Sequence, residues 1–128
     1  MKFTQIDPPR SFEVSGAGVK LTLSDCGRVE LAEDEQVTFT TSGGGEYDVT
    51  RKDWGFYATP SINGRLKSFG FKGALVVSSY GRLFLMLVES GKERAFHDYI
   101  KADHQKLLCW LDNDAEVTKL AGFYGVAI

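Results

Sequence analysis

Apolar and polar residues alternate along much of this chain, and the period of two that marks a half-buried strand recurs from Ser11 onward. Phe12 and Val14 share one face. Val19, Leu21 and Leu23 share another, with Lys20 and Thr22 pointing away, and Asp25-Cys26-Gly27 reads as a tight turn before Val29 and Leu31. Glu33-Asp34-Glu35 is an acidic, solvated turn. Val37 and Phe39 alternate with Gln36, Thr38 and Thr40, and Tyr47 and Val49 alternate with Glu46, Asp48 and Thr50. Gly43-Gly44-Gly45 between these two runs predicts a hairpin. The first ten residues, broken by Pro8 and Pro9, read as an irregular lead-in.

Residues 51 to 71 read as short strands joined by loops, with Asn63-Gly64 as a turn. Ala74 to Ser78 is a β-rich apolar run, turned by Ser79-Tyr80-Gly81. Arg82 to Glu89 is apolar on both faces, which predicts a strand in the sheet interior with a helix over one side. Helical spacing then appears. Ser90-Gly91-Lys92-Glu93 fits a capping box, and Ala95, Phe96, Tyr99 and Ile100 form one stripe ending near Asp103. Gln105 to Asp112 returns to strand. Asp114 is placed to cap a short terminal helix through Val117 and Leu120, and the apolar tail 122–128 is expected to dock on the body. The sum is an α+β fold, mostly β: antiparallel sheets, curled or partly closed into a barrel or sandwich, with one main helix in the C-terminal half.

Length limits this to one domain, 1–128, because 128 residues support a single core. Nine Phe, five Tyr and two Trp supply large apolar areas, so a core can form without staples. Two cysteines, Cys26 and Cys109, are too few for a disulfide framework and read as buried free thiols. A net charge of −2 argues against a nucleic-acid partner, since such proteins carry a basic excess. The N-terminus lacks the apolar segment of a signal peptide, and the longest apolar run, Leu83 to Val88, is far short of a membrane span. The expectation is a cytoplasmic protein without a membrane partner.

One stretch reverses the acidic balance. Arg51 to Lys67 gathers basic, aromatic and hydrogen-bonding groups, with Asp53 its only acid. As a ligand surface, Trp54 and Tyr57 offer flat faces to a ring, Arg51, Lys52 and Arg65 pair with phosphate or carboxylate, and Ser61 or Asn63 fixes orientation. The competing reading makes the aromatics core and the cations a solvated face. Other chemistry has less support. Gly43-Gly44-Gly45 lacks the Lys-Ser/Thr of a phosphate loop and leads into a strand. His97 and His104 lack the spacing of a metal site even with Cys109, and no cofactor is expected. Ser61 and Cys26 lack the context of a nucleophile.

The strings Asp25-Cys26-Gly27, Glu35-Gln36-Val37-Thr38-Phe39 and Glu46 through Arg65 resemble a group of small uncharacterised bacterial proteins. Met86 through Glu93 and Cys109-Trp110-Leu111-Asp112 do the same. The resemblance covers roughly residues 21 to 112. It implies association with genes for surface polysaccharide or nucleotide-sugar synthesis and supplies no catalytic residue. The leading expectation is therefore a non-catalytic binding or accessory domain for a sugar or nucleotide-sugar. A small enzyme on a phosphorylated or nucleotide-linked sugar is the second, with Asp48, Asp53, Tyr57 and His97 as acid–base candidates. A homodimeric interaction subunit built on open sheet edges is the third.

Overall fold

The structure, a computed structural model, describes residues 1–16 and 19–128. The expected inward and outward placement of Val19 and Lys20 lies outside the described side chains. The fold is α+β and mostly β, in three antiparallel sheets that do not close into a barrel.

The first sheet is a two-stranded ribbon, β1 (Lys2–Gly16) against β2 (Val19–Glu30). This corrects two expectations. The lead-in is strand, and Asp25-Cys26-Gly27 lies inside β2 rather than in a turn. Prolines are accommodated because the register shifts there. Gln5 faces Gly27 and Arg10 faces Asp25, so residues 6–9 bulge out against Cys26 alone, and the missing proline N–H groups break no ladder. Cys26 is exposed, contrary to expectation, while Cys109 is half-buried.

The second sheet runs β3 (Gln36–Thr40), β4 (Glu46–Lys52), β5 (Gly55–Ala58). Its first hairpin closes through the predicted glycines, with Gly44 at φ +90°. A Cβ on Gly45 would come within 2.6 Å of the Phe71 ring, so close packing also demands glycine there. Asn63-Gly64 forms a turn, as expected, and then leads into a 3₁₀ helix, Arg65–Phe69, which the loop reading did not include. Fully buried Leu66 anchors that helix, and the neighbouring Pro60 is buried as well.

The third sheet has the order β7 (Leu83–Glu89), β6 (Phe71–Val77), β8 (Lys106–Trp110). The interior strand is therefore β6, and β7 lies at an edge. Topology decides this. The Ser79-Tyr80-Gly81 turn pairs β7 with one side of β6, and helix α1 (Glu93–Ala102) carries the chain over to β8 on the other side. Strands β7 and β8 are parallel to each other, a relation that requires such a crossover. Ala74, Val76, Val88 and Ile100 form the core under α1, with Met86, Phe96, Leu107 and Trp110 around them. Ala95 and Tyr99 of the predicted stripe are exposed. The reverse face of β6 is approached closely by Ile62, which would lie 2.9 Å from a Cβ on Gly73.

Both caps differ in detail from expectation. Ser90 does not cap α1; Lys92 holds that position, and Glu93 accepts a hydrogen bond from the Gly91 amide at 3.3 Å. In α2 (Asp114–Phe123) the cap is Asn113, whose side chain accepts from the Ala115 and Glu116 amides, so Asp114 is the first helical residue. Helix α2 has no buried residue, and the tail does not dock: Phe123, Tyr124 and Ile128 are exposed.

Candidate functional site

Strand alternation divides the predicted surface between the two faces of the β3–β5 sheet. Arg51 pairs with Phe56, Thr50 with Tyr57 and Lys52 with Gly55. Arg51 and Phe56 thus share the face of Val37 and Val49, while Lys52 and Tyr57 share the opposite face with Gln36, Thr38, Asp48 and Thr50.

The polar face is internally satisfied. Thr50 donates to Gln36 at 3.0 Å and Thr38 donates to Asp48. Lys52 forms an ion pair with Asp34, which raises its pKa, and Thr59 donates to the Asp48 carbonyl at 3.3 Å. Trp54, at the β4–β5 turn, stacks on Tyr57 with ring centroids 6.1 Å apart and planes 30° from parallel. Trp54 is 68% exposed, so this pair is a surface platform and not core. Ser61, Asn63 and Arg65 sit further along, at the entry to the 3₁₀ helix. There the Ser61 hydroxyl accepts from the Arg65 amide at 2.9 Å, and the Arg65 guanidinium lies over Phe69 at 5.5 Å. The sheet therefore brings Lys52, Trp54 and Tyr57 together and sets Arg51 on the other side.

That other side holds a cavity of about 340 Å³ where the base of the β1–β2 ribbon meets the sheet. Lys2, Arg28 and Arg51 line it, with Thr4, Glu30 and Phe56. The ribbon register makes the arrangement: Lys2 faces Glu30 and Thr4 faces Arg28, so all four side chains lie on one face of the ribbon. Arg51 donates from Nε to the Lys52 carbonyl at 2.7 Å and from Nη1 to the Leu31 carbonyl at 3.1 Å. These bonds hold the guanidinium in place and leave its other donors available. A second cavity of similar volume, lined by Val37, Phe39 and Val49, shares Val29, Leu31 and Phe56 with the first. The two cavities adjoin at these three residues, the first cationic and the second apolar. The base of the ribbon is tied down beside it. Glu35 accepts from the Met1 ammonium at 3.0 Å and from the Ala32 amide at 2.7 Å, and those two bonds hold its pKa below the ordinary value.

Lys2, Thr4, Arg28 and Glu30 were not among the residues singled out in the sequence. The signal for them is the alternation of Arg28 and Glu30 about Val29, but it points to a site only once residues 2–5 are known to be strand. Of the acid–base candidates, Asp48, bonded to Thr38, shares the polar face with Tyr57, Asp53 lies in the β4–β5 turn, and His97 on α1 packs against Phe96 and against Trp110 of β8. A third depression, about 620 Å³, lies beneath the end of α1, with His97, His104, Lys101 and Lys106 at its walls. Lys101 sits in the last turn of that helix, where a cation complements the negative end of the helix dipole. Among the described residues no group of three or more His, Cys, Asp or Glu is placed to hold a metal ion. Nor, among the described residues, is any helix long and apolar enough to cross a membrane.

Fold and groove together define an α+β, mostly β domain with open antiparallel sheets and a mixed cationic and apolar cleft. Comparison with family models, curated proteins and solved structures finds no match to this chain.

Proposed function

We propose that this chain is a non-catalytic binding domain for a sugar or nucleotide-sugar, acting as an accessory in bacterial cell-surface carbohydrate synthesis. The observation that carries the reading is the groove in which Arg28, Arg51 and Lys2 meet Phe56. Its volume lies in the range of small-molecule pockets, roughly 300–1,000 Å³. Two guanidinium groups suit a diphosphate, because each presents paired N–H donors to planar anionic oxygens. Phe56, shared by both cavities, offers a ring face to a base or sugar, and Thr4 and Glu30 supply partners for hydroxyl groups.

Calorimetry with a panel of nucleoside-diphosphate sugars, beside the same sugars without phosphate, tests this reading. Binding of the phosphorylated members alone is expected. Arg28→Ala should weaken it at least about tenfold, the loss of one charged hydrogen-bonding partner. Trp54→Ala with Tyr57→Ala, on the opposite face, should leave it unchanged. No heat with any member, or loss of binding in the Trp54/Tyr57 variant with none in the Arg28 variant, contradicts the groove.

A further inference from the structure

The depression beneath the end of α1 gathers ammonium and imidazole groups without an acid among them. His97 and Lys101 stand one turn apart on the helix, beside buried Ile100. The helix closes at His104, which takes φ 53°, and the chain returns through Gln105 to Lys106 and Leu107 at the start of β8. These residues enclose about 620 Å³, and among the described residues no Asp or Glu joins the lining.

The fold itself does not consume these cations. The last carbonyls of α1 are met by main-chain amides: Tyr99 by Asp103 at 3.2 Å, Lys101 by His104 at 3.1 Å and Ile100 by Gln105 at 2.8 Å. Asp98 and Asp103 lie close in sequence, yet among the described residues His97, Lys101, His104 and Lys106 form no ion pair. Lys101 offsets the negative end of the helix dipole, which would otherwise oppose an anion. Gln105, in the same lining, has its side-chain oxygen out of contact with water and without a donor. An unpaired buried acceptor is costly, and a hydroxyl entering from the depression is the donor that would complete it.

We propose that this depression is a second ligand site, which takes the phosphate group of a small, hydroxyl-bearing phosphate ester. Each ammonium carries three donors and each imidazole offers an N–H, a set that matches the several oxygens of a phosphate and exceeds what one carboxylate can use. The His97 ring is held in place by Phe96 and Trp110, at centroid distances of 5.4 and 5.9 Å. Ile100 and Leu107 give the carbon skeleton an apolar wall. The site shares no residue with the two cavities beside the ribbon, so it stands or falls apart from the proposed function.

NMR titration of the ¹⁵N-labelled full chain with glycerol 3-phosphate, inorganic phosphate and glycerol, at constant ionic strength, tests it. Amides of residues 100–107 should shift saturably with glycerol 3-phosphate below about 10 mM, more weakly with inorganic phosphate and not with glycerol. His104→Gly with Lys106→Gln should weaken binding at least about tenfold. Glycine accepts the backbone at 104 and Lys106 is exposed, so the amide spectrum should otherwise keep its dispersion. Should that variant unfold, Lys101→Gln, at another exposed position, is expected to weaken binding in the same direction. Arg28→Ala, beside the ribbon, should leave the shifts at 100–107 unchanged. No saturable shift there, an equal response to glycerol or to inorganic phosphate, undiminished affinity in the lysine variants, or a loss caused by Arg28→Ala overturns the proposal.

Discussion

The β6-centred sheet and the β1–β2 ribbon are both antiparallel and both rich in alternating apolar residues, yet only the first is closed over. In the sheet, α1 covers one face of β6, and Ala74, Val76 and Ile100 lose nearly all contact with water. In the ribbon, equally apolar pairs such as Phe12 and Leu23 keep two-fifths or more of their surface exposed. Strand pairing is common to both, so the difference lies in what lies over the strands. Hydrogen-bonded ladders contribute modest net stability, and burial of side chains decides which ladder persists.

Truncation should separate the two regions most sharply. Leu66→Ala and Ile100→Ala each remove a buried anchor and are expected to cost about 2–5 kcal/mol, a large share of the usual stability of a domain. Phe12→Ala should change the free energy of unfolding by under about 0.5 kcal/mol, as for an exposed residue. Chemical denaturation followed by the fluorescence of Trp54 and Trp110 measures both, and equal losses would erase the distinction. Gly73→Ala comes next. Its new methyl group meets Ile62 on the buried face, at a cost of about 1–3 kcal/mol by overpacking.

Asn113→Ala removes the α2 cap and should cost about 1 kcal/mol. Because α2 buries no residue, the loss should appear as local fraying in helical circular dichroism, with the β6 sheet unaffected. The smallest effect concerns pH. Glu35 has its folded pKa lowered by the Met1 ammonium and the Ala32 amide, so its contribution is present above the unfolded carboxylate value and is lost as pH falls through the folded one. Amides at the base of the ribbon should exchange faster below about pH 4 than intrinsic rates predict, and Glu35→Gln should remove that extra pH dependence.

The same contrast explains what was legible in the sequence. Alternation in Gln36–Thr40 and Glu46–Lys52 and the glycines between them located a hairpin, because its sequence and its turn agree. The helical stripe through Phe96 and Ile100 located α1. Sheet order was not legible, since both β6 and β7 are apolar and only the crossover to β8 decides which becomes central. Pro8 and Pro9 concealed β1, because a register shift that excuses prolines leaves no mark in one strand alone. The candidate site suffered from that error. Arg51 was legible as a cation in an acidic chain, but its partners Lys2 and Arg28 lie on the strand pair that the prolines concealed, and its neighbours Lys52 and Tyr57 face the other way.

Amide hydrogen exchange tests the central contrast most directly. Residues 72–76 of β6 should show high protection, since α1 of their own chain covers them. Residues 11–14 and 21–24 should exchange rapidly, since Phe12, Val14 and Leu23 stay exposed beside them. Protection of the distal ribbon equal to that of β6 would contradict the account.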